Sequence, residues 1–268
     1  MKTRIISGIV LAVVMISSLL CGGWYLYGLN LVISLIGMFE LYRVIHMEKS
    51  SMSYVGYISC ILYYVCLLIG MDKYVMLVFV AFIMAVMTVY VFTFPKYNTA
   101  RVMMTLLGLF YVALMLSYIY KVRVMNDGIY IVWLIFIASW GNDTFAYFTG
   151  VFLGKHKMAP KLSPKKSIEG AIGGVAGAAI LGGIYGYIVG GHMSEFFAYP
   201  VFTFAAASFI GALLAIVGDL AASAIKRNHD VKDYGTIIPG HGGIMDRFDS
   251  VIFTAPAVYW AVFVINML

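Results

Sequence analysis

Residues able to do polar chemistry concentrate between Gly218 and Asp249, where four cationic side chains and five carboxylates share 32 residues. The segment runs through Asp219, Ser223, Lys226-Arg227 and Lys232-Asp233 to Pro239-Gly240-His241-Gly242-Gly243-Ile244-Met245-Asp246-Arg247-Phe248-Asp249. If a helix continues past Asp219, then Asp219, Ser223, Lys226, Arg227 and Asp230 fall at i, i+4, i+7, i+8 and i+11 and share one face. Such a face has a carboxylate end for a metal and a cationic end for phosphate, although a salt-bridged, solvated helix end explains it equally well. Asp246 and Asp249 stand one turn apart, with Arg247 turned about 100° away. Two carboxylates so spaced suit hard cations, which take oxygen ligands. The glycines around His241 allow backbone N–H groups to approach a phosphate closely, as at other helix N-termini.

Two further groups carry polar chemistry. Ser139-Trp140-Gly141-Asn142-Asp143-Thr144 puts an amide and a carboxylate at or just below membrane depth. The loop 154–170 holds Lys155, Lys157, Lys161, Ser163, Lys165, Lys166 and Glu169. For Lys155, Lys157 and Lys161, topological retention and substrate attraction are evenly balanced. Lys165, Lys166 and Glu169 lie against the start of a helix, and function is the favoured reading. Glu40 and Arg43, at i and i+3, read as an ion pair near a helix end. His46, His156, His192 and His229 show no ligand spacing, and Asp72, Asp127 and Glu195 read as loop charges. Cys21, Cys60 and Cys66 lie in apolar segments and read as packing.

The elements that must position these residues are apolar. The chain has 268 residues, 63% hydrophobic and 11% charged, with a mean hydropathy of +0.95. A soluble domain carries about 25% charged residues, so an all-α integral membrane protein is expected. Nine segments have the length of a span: 5–21, 24–44, 54–71, 74–94, 102–120, 129–149, 170–191, 197–218 and 250–267. The first imitates a signal peptide, but Leu20 is bulky where a small residue should precede a cut, so it reads as a retained span. About five spans fill residues 1–130, and 131–268 forms a catalytic region carrying 218–250. With nine spans, fifteen Lys and Arg fall on the N-terminal side and three on the other. That asymmetry predicts an N-in, C-out topology with both polar loops facing the cytoplasm. The net charge of +6 is spread over short loops and does not read as nucleic-acid binding. A transporter would distribute charge over several spans at mid-membrane and often repeat its halves; this chain clusters it. The glycine-rich seventh span suits either a homodimer interface or packing within one chain.

From Ser223 to Asp249 the pattern S-x-x-K-R-x₄-K-D-x-G-x₃-P-G-H-G-G-x-x-D-R-x-D resembles the signature of phosphatidate cytidylyltransferases, also called CDP-diacylglycerol synthases. Asn142-Asp143-Thr144 with Ala146-Tyr147, and Ser163-Pro164-Lys165-Lys166 with Glu169-Gly170, resemble that family's other blocks. The likeness is close over about 140–250; the first 130 residues match only in being hydrophobic. Ala222 stands where the family often has an acidic residue, and Phe145 where it has a small one, which would narrow the cavity locally. The resemblance implies transfer of CMP from CTP to phosphatidic acid at the cytoplasmic face of the bacterial inner membrane, with Mg²⁺ alone or with a second cation. In that expectation Asp219 and Asp246 are metal ligands, with Asp249 as a further ligand or a residue behind them. Lys226, Arg227 and Arg247 neutralise the triphosphate or pyrophosphate, and His241 hydrogen-bonds phosphate through a ring N–H. Ser223, Ser163, Lys165, Lys166 and Lys232 bind substrate, and Asn142 and Asp143 meet cytosine, ribose or a second cation. A related membrane enzyme using CTP on another lipid, such as a polyprenol kinase or an archaeal-type lipid cytidylyltransferase, is the nearest alternative.

Overall fold

Backbone polar groups in a bilayer must be satisfied within the segment that carries them, which leaves helices for a chain this apolar. The computed structural model describes residues 2–193 and 199–267, with backbone alone for residues 2–5. Lys2 and Arg4 as side chains, and Glu195, lie outside the described residues. The helices are α1 (Lys2–Cys21), α2 (Gly23–Arg43), α3 (Ser51–Leu68), α4 (Asp72–Phe92), α5 (Thr99–Arg123), α6 (Gly128–Leu153), α7 (Ile168–Val189), α8 (Pro200–Asn228) and α9 (Met245–Ile265). Among the described residues, eight of them, α2 to α9, are long and apolar enough to cross a membrane. The described side chains of α1 add a shorter apolar helix, Ile6–Cys21. The chain is an integral membrane protein of helical architecture, and the expected spans coincide with these helices to within about five residues, apart from α8, which runs ten residues past the expected end at 218.

Two helices are interrupted by π-helical turns: α5 over Gly108–Leu114 and α6 over Ile137–Gly141. In α5 the Tyr42 hydroxyl donates to Thr105 O at 2.9 Å, so a side chain from α2 supplies a donor beside the irregular turn. In α6 the π turn lies immediately before Asn142 and Asp143. Between α6 and α7 a small antiparallel hairpin forms, β1 (Lys157–Ala159) and β2 (Ser163–Ser167), with Lys157 opposite Ser167 and Ala159 opposite Ser163. This hairpin was not anticipated.

The chain divides into two compact units, and the division does not follow chain order. Unit 1 comprises Met1–Ser117 and His229–Arg247; unit 2 comprises Tyr118–Asn228 and Phe248–Leu268. Within unit 1, polar clips tie the spans: Asn30 Nδ2 donates to Leu116 O at 3.0 Å, and Tyr63 and Ser117 share a 2.7 Å hydroxyl contact. In contrast, α4 is the most apolar span and only 11% of its 18 most apolar consecutive residues are buried, as suits a helix facing lipid. Within unit 2, α7 is the close-packed helix. A Cβ on Gly174 would come within 2.5 Å of Asn142 Oδ1 on α6, and one on Gly186 within 2.7 Å of Pro200 O on α8. Glycines of α7 are thus used against its neighbours in the same chain.

Candidate active site

In unit 2, α8 does continue past Asp219, as far as Asn228. Ser223 Oγ donates to Asp219 Oδ1 at 3.3 Å, as the i, i+4 spacing predicts. Asp230 lies beyond the helix with a left-handed φ of 54° and so leaves the predicted face. Lys226 and Arg227 occupy the last turn, where cations also complement the helix dipole.

The β1–β2 hairpin is tied to the start of α7. Ser167 caps the helix by accepting the Gly170 N–H at 3.1 Å. Glu169 fixes this turn: it accepts the Lys155 and His156 N–H groups and meets His156 Nδ1 at 2.6 Å. The same contact gives His156, which shows no ligand spacing and stays largely exposed, a structural partner. So anchored, β2 places Lys166 in an ion pair with Asp219.

Asn142, Asp143, Lys165, Lys166 and Asp219 all line one cavity of about 490 Å³. Its remaining wall is largely apolar, including Tyr147, Val151, Met158 and Ile216. Asn142 Oδ1 is buried and accepts no hydrogen bond. An orphaned acceptor of this kind calls for a donor or a cation. Asp249 stands behind the cavity, where the charges of Asp219, Lys226 and Asp143 reach it. Close approach of α8 and α9 requires Gly218, because a Cβ there would come within 2.7 Å of Asp249 O. Phe145 does not line the cavity; its ring packs where a Cβ on Gly177 would sit. Ser163 begins β2 and is not in the cavity wall either.

In unit 1, the loop 229–244 leads into α9. Pro239 and Gly240 (φ 78°) occupy the centre of a tight turn closed by the His241 N–H donating to Ile238 O at 2.9 Å. A proline followed by a residue of positive φ is the type II arrangement, which is why glycine stands at 240. Asp246, only 7% exposed, accepts the Tyr234 N–H at 2.8 Å and the Gly243 N–H at 3.0 Å, both through Oδ2. One oxygen of this expected metal ligand is therefore committed to the loop. Lys232 is exposed on the same loop. Arg247 Nε is buried and makes no hydrogen bond, a second orphaned group, this time a donor suited to an anion.

Two expectations change here. The helix N-terminus that the glycines were expected to open to phosphate is already occupied, because the Ile244 and Met245 N–H groups donate to Glu40. Glu40 and Arg43 do not form the expected ion pair; Arg43 Nη2 instead donates to Tyr234 O at 2.7 Å. Ser7 Oγ donates to Pro239 O at 2.9 Å and also lies 2.9 Å from His241 Nδ1.

Among the described residues, no three His, Cys, Asp or Glu side chains are grouped so as to hold a metal by themselves. Mg²⁺ does not need such a cage, since it keeps several waters and commonly takes one or two carboxylates together with substrate phosphates. Asp219, Asp143 and the orphaned Asn142 Oδ1 are hard oxygen donors of that kind in one cavity.

The sequence profile of the cytidylyltransferase family matches residues 2–265. The chain belongs to the cytidylyltransferase family. Curated relatives of this cytidylyltransferase include the phosphatidate cytidylyltransferase of Bacillus subtilis (strain 168), 31% identical with 97% of each chain covered. That of Staphylococcus aureus (strain COL) is 32% identical with 96% of each covered, and that of Staphylococcus epidermidis is 30% identical, again with 96% of each. The match extends the likeness through the first 130 residues, beyond hydrophobicity alone.

Proposed function

We propose that this cytidylyltransferase transfers the CMP unit of CTP to phosphatidic acid, forming CDP-diacylglycerol and pyrophosphate. Family membership over nearly the whole chain supports the reaction. The observation that carries the site is the unit 2 cavity, in which Lys165, Lys166, Asp143, Asp219 and the orphaned Asn142 Oδ1 face an apolar wall. That combination suits an anionic headgroup or nucleotide at one side and a lipid chain at the other.

A phosphate oxygen of the lipid attacks the α-phosphorus of CTP, the bond from that phosphorus to the β-phosphate oxygen breaks, and pyrophosphate leaves. The attacking oxygen is already anionic, so no strong general base is needed. The barrier comes from repulsion between anions and from charge growing on the leaving group, and positioned cations act on both. Lys165 and Lys166 hold a phosphate in the cavity, Asp219 keeps Lys166 extended toward it, and Ser223 holds Asp219. Lys226 and Arg227 offset the triphosphate charge; Arg247 and Lys232, in unit 1, are the other cations of the signature segment. Asn142 Oδ1 accepts from the cytosine amino group or ligates a cation. Asp219 and Asp143 would hold Mg²⁺, which would supply neutralisation of triphosphate charge and polarisation of the phosphoryl oxygens. By the charge asymmetry of the loops, the site faces the cytoplasm from the bacterial inner membrane.

The test is purified protein with labelled CTP, phosphatidic acid and Mg²⁺, with label counted in the lipid phase. Label should enter phosphatidic acid, not a polyprenol, and stop on chelation. Lipid labelling that persists in excess chelator would contradict the metal assignment, and a preference for polyprenol would contradict the acceptor.

A further inference from the structure

We propose that Glu40 is a positioning residue for the transfer reaction, holding the signature loop and the start of α9 in register from α2; this rests on the function proposed above. Its side chain is fully buried. Oε1 accepts the Ile244 N–H at 3.1 Å and Oε2 the Met245 N–H at 2.8 Å. These amides belong to the donors that a helix leaves unsatisfied at its N-terminus. An internal carboxylate there does what a bound anion does at other helix starts, and it cannot diffuse away.

The loop is built around that carboxylate. A Cβ on Gly235 or on Gly243 would collide with the Glu40 carboxylate itself, so two glycines of the signature make room for a protein side chain. Asp246 draws in the Tyr234 and Gly243 N–H groups, and Arg43, one turn along α2, draws in Tyr234 O. Residues 234–246 are thereby held by carboxylates at both ends and by a guanidinium. Asp246 and Arg247 follow Met245 directly, so their orientation is inherited from this clamp. Small displacements of such groups are costly in rate, because transition-state contacts require near-attack geometry.

The chemistry of substitution is specific. Glutamine at 40 keeps the shape but sets an NH₂ against one of the two backbone donors. Aspartate keeps the charge and is one methylene shorter, so it retains part of the interaction. The full chain, purified in lipid nanodiscs as wild type, Glu40→Gln and Glu40→Asp, is compared by kcat and KM per folded molecule and by amide hydrogen exchange over residues 234–246. Glu40→Gln should lower kcat by about 10- to 100-fold, the scale of one lost charge-assisted hydrogen bond. KM for both substrates should stay within about threefold, as for an interaction felt in the transition state. Glu40→Asp should recover part of the rate, and exchange at 244–245 should quicken in Glu40→Gln. Wild-type kcat per folded molecule in Glu40→Gln would overturn the proposal, including the case where total activity falls only with the amount of folded protein. Unchanged exchange at 244–245 would overturn it too. A wild-type protein that transfers no CMP would instead refute the function, and the exchange comparison alone would then decide whether Glu40 holds the loop.

Discussion

A carboxylate buried in a membrane protein has to be met by donors, and the donors found here assign different work to residues that look alike in sequence. Asp219 meets Lys166 and Ser223 in a cavity, whereas Asp246 and Glu40 meet backbone amides. In the function proposed above the hairpin lysines bind substrate, so Lys165→Ala with Lys166→Ala should raise KM for CTP, phosphatidic acid or both by about tenfold or more, roughly 1.4 kcal/mol of binding per decade. Steady-state kinetics over both substrate concentrations check this, and unchanged constants would return the loop to a purely topological role. The Asp219–Ser223 contact was legible because i, i+4 geometry is local. Glu40 was not, because its partners lie 204 and 205 positions away, and its nearest charged neighbour in sequence, Arg43, suggested an ion pair that does not form. The orphaned Asn142 Oδ1 and Arg247 Nε were equally out of reach, since burial without a partner is a property of packing.

Elements differ in how far their own sequence determines them. The extension of α8 to Asn228 follows from an uninterrupted run of helix formers, and its end is marked by Asp230 in the left-handed region. The hairpin is three and five residues long, lysine-rich and contains Pro164, which carries no strand periodicity. It exists because Ser167 and Glu169 anchor its ends. The π turn at Ile137–Gly141 is similarly silent, yet it sets the position of Asn142 and Asp143, as π turns often do at functional sites. Gly174 couples this part of α6 to α7. Gly174→Ala should destabilise the fold by about 1–3 kcal/mol through overpacking and lower activity further by displacing Asn142. Thermal unfolding in detergent and the rate per folded molecule measure the two effects, and a fully active, equally stable variant would contradict this account of the α6–α7 contact.

For the whole molecule, the helices were legible because a bilayer demands about 20 apolar residues per crossing; among the described residues, eight of the nine expected spans are long and apolar enough to cross one. The interleaving of units was not: residues 229–247 belong with the N-terminal helices although the chain enters them from α8. Contacts such as Glu40 to Met245 create that arrangement, and no local pattern announces it. The loop charges predict that Lys161→Cys, in a background without the three native cysteines, is labelled by an impermeant thiol reagent from the cytoplasmic side and Lys73→Cys from the other. Labelling of both from one side would refute the topology. The central claim is transfer of a nucleotidyl group and not of a terminal phosphate. Purified protein given phosphatidic acid, Mg²⁺ and CTP labelled at either the α- or the γ-phosphorus tests it most directly. Nucleotidyl transfer puts α label in the lipid and γ label in released pyrophosphate; γ label in the lipid would contradict it.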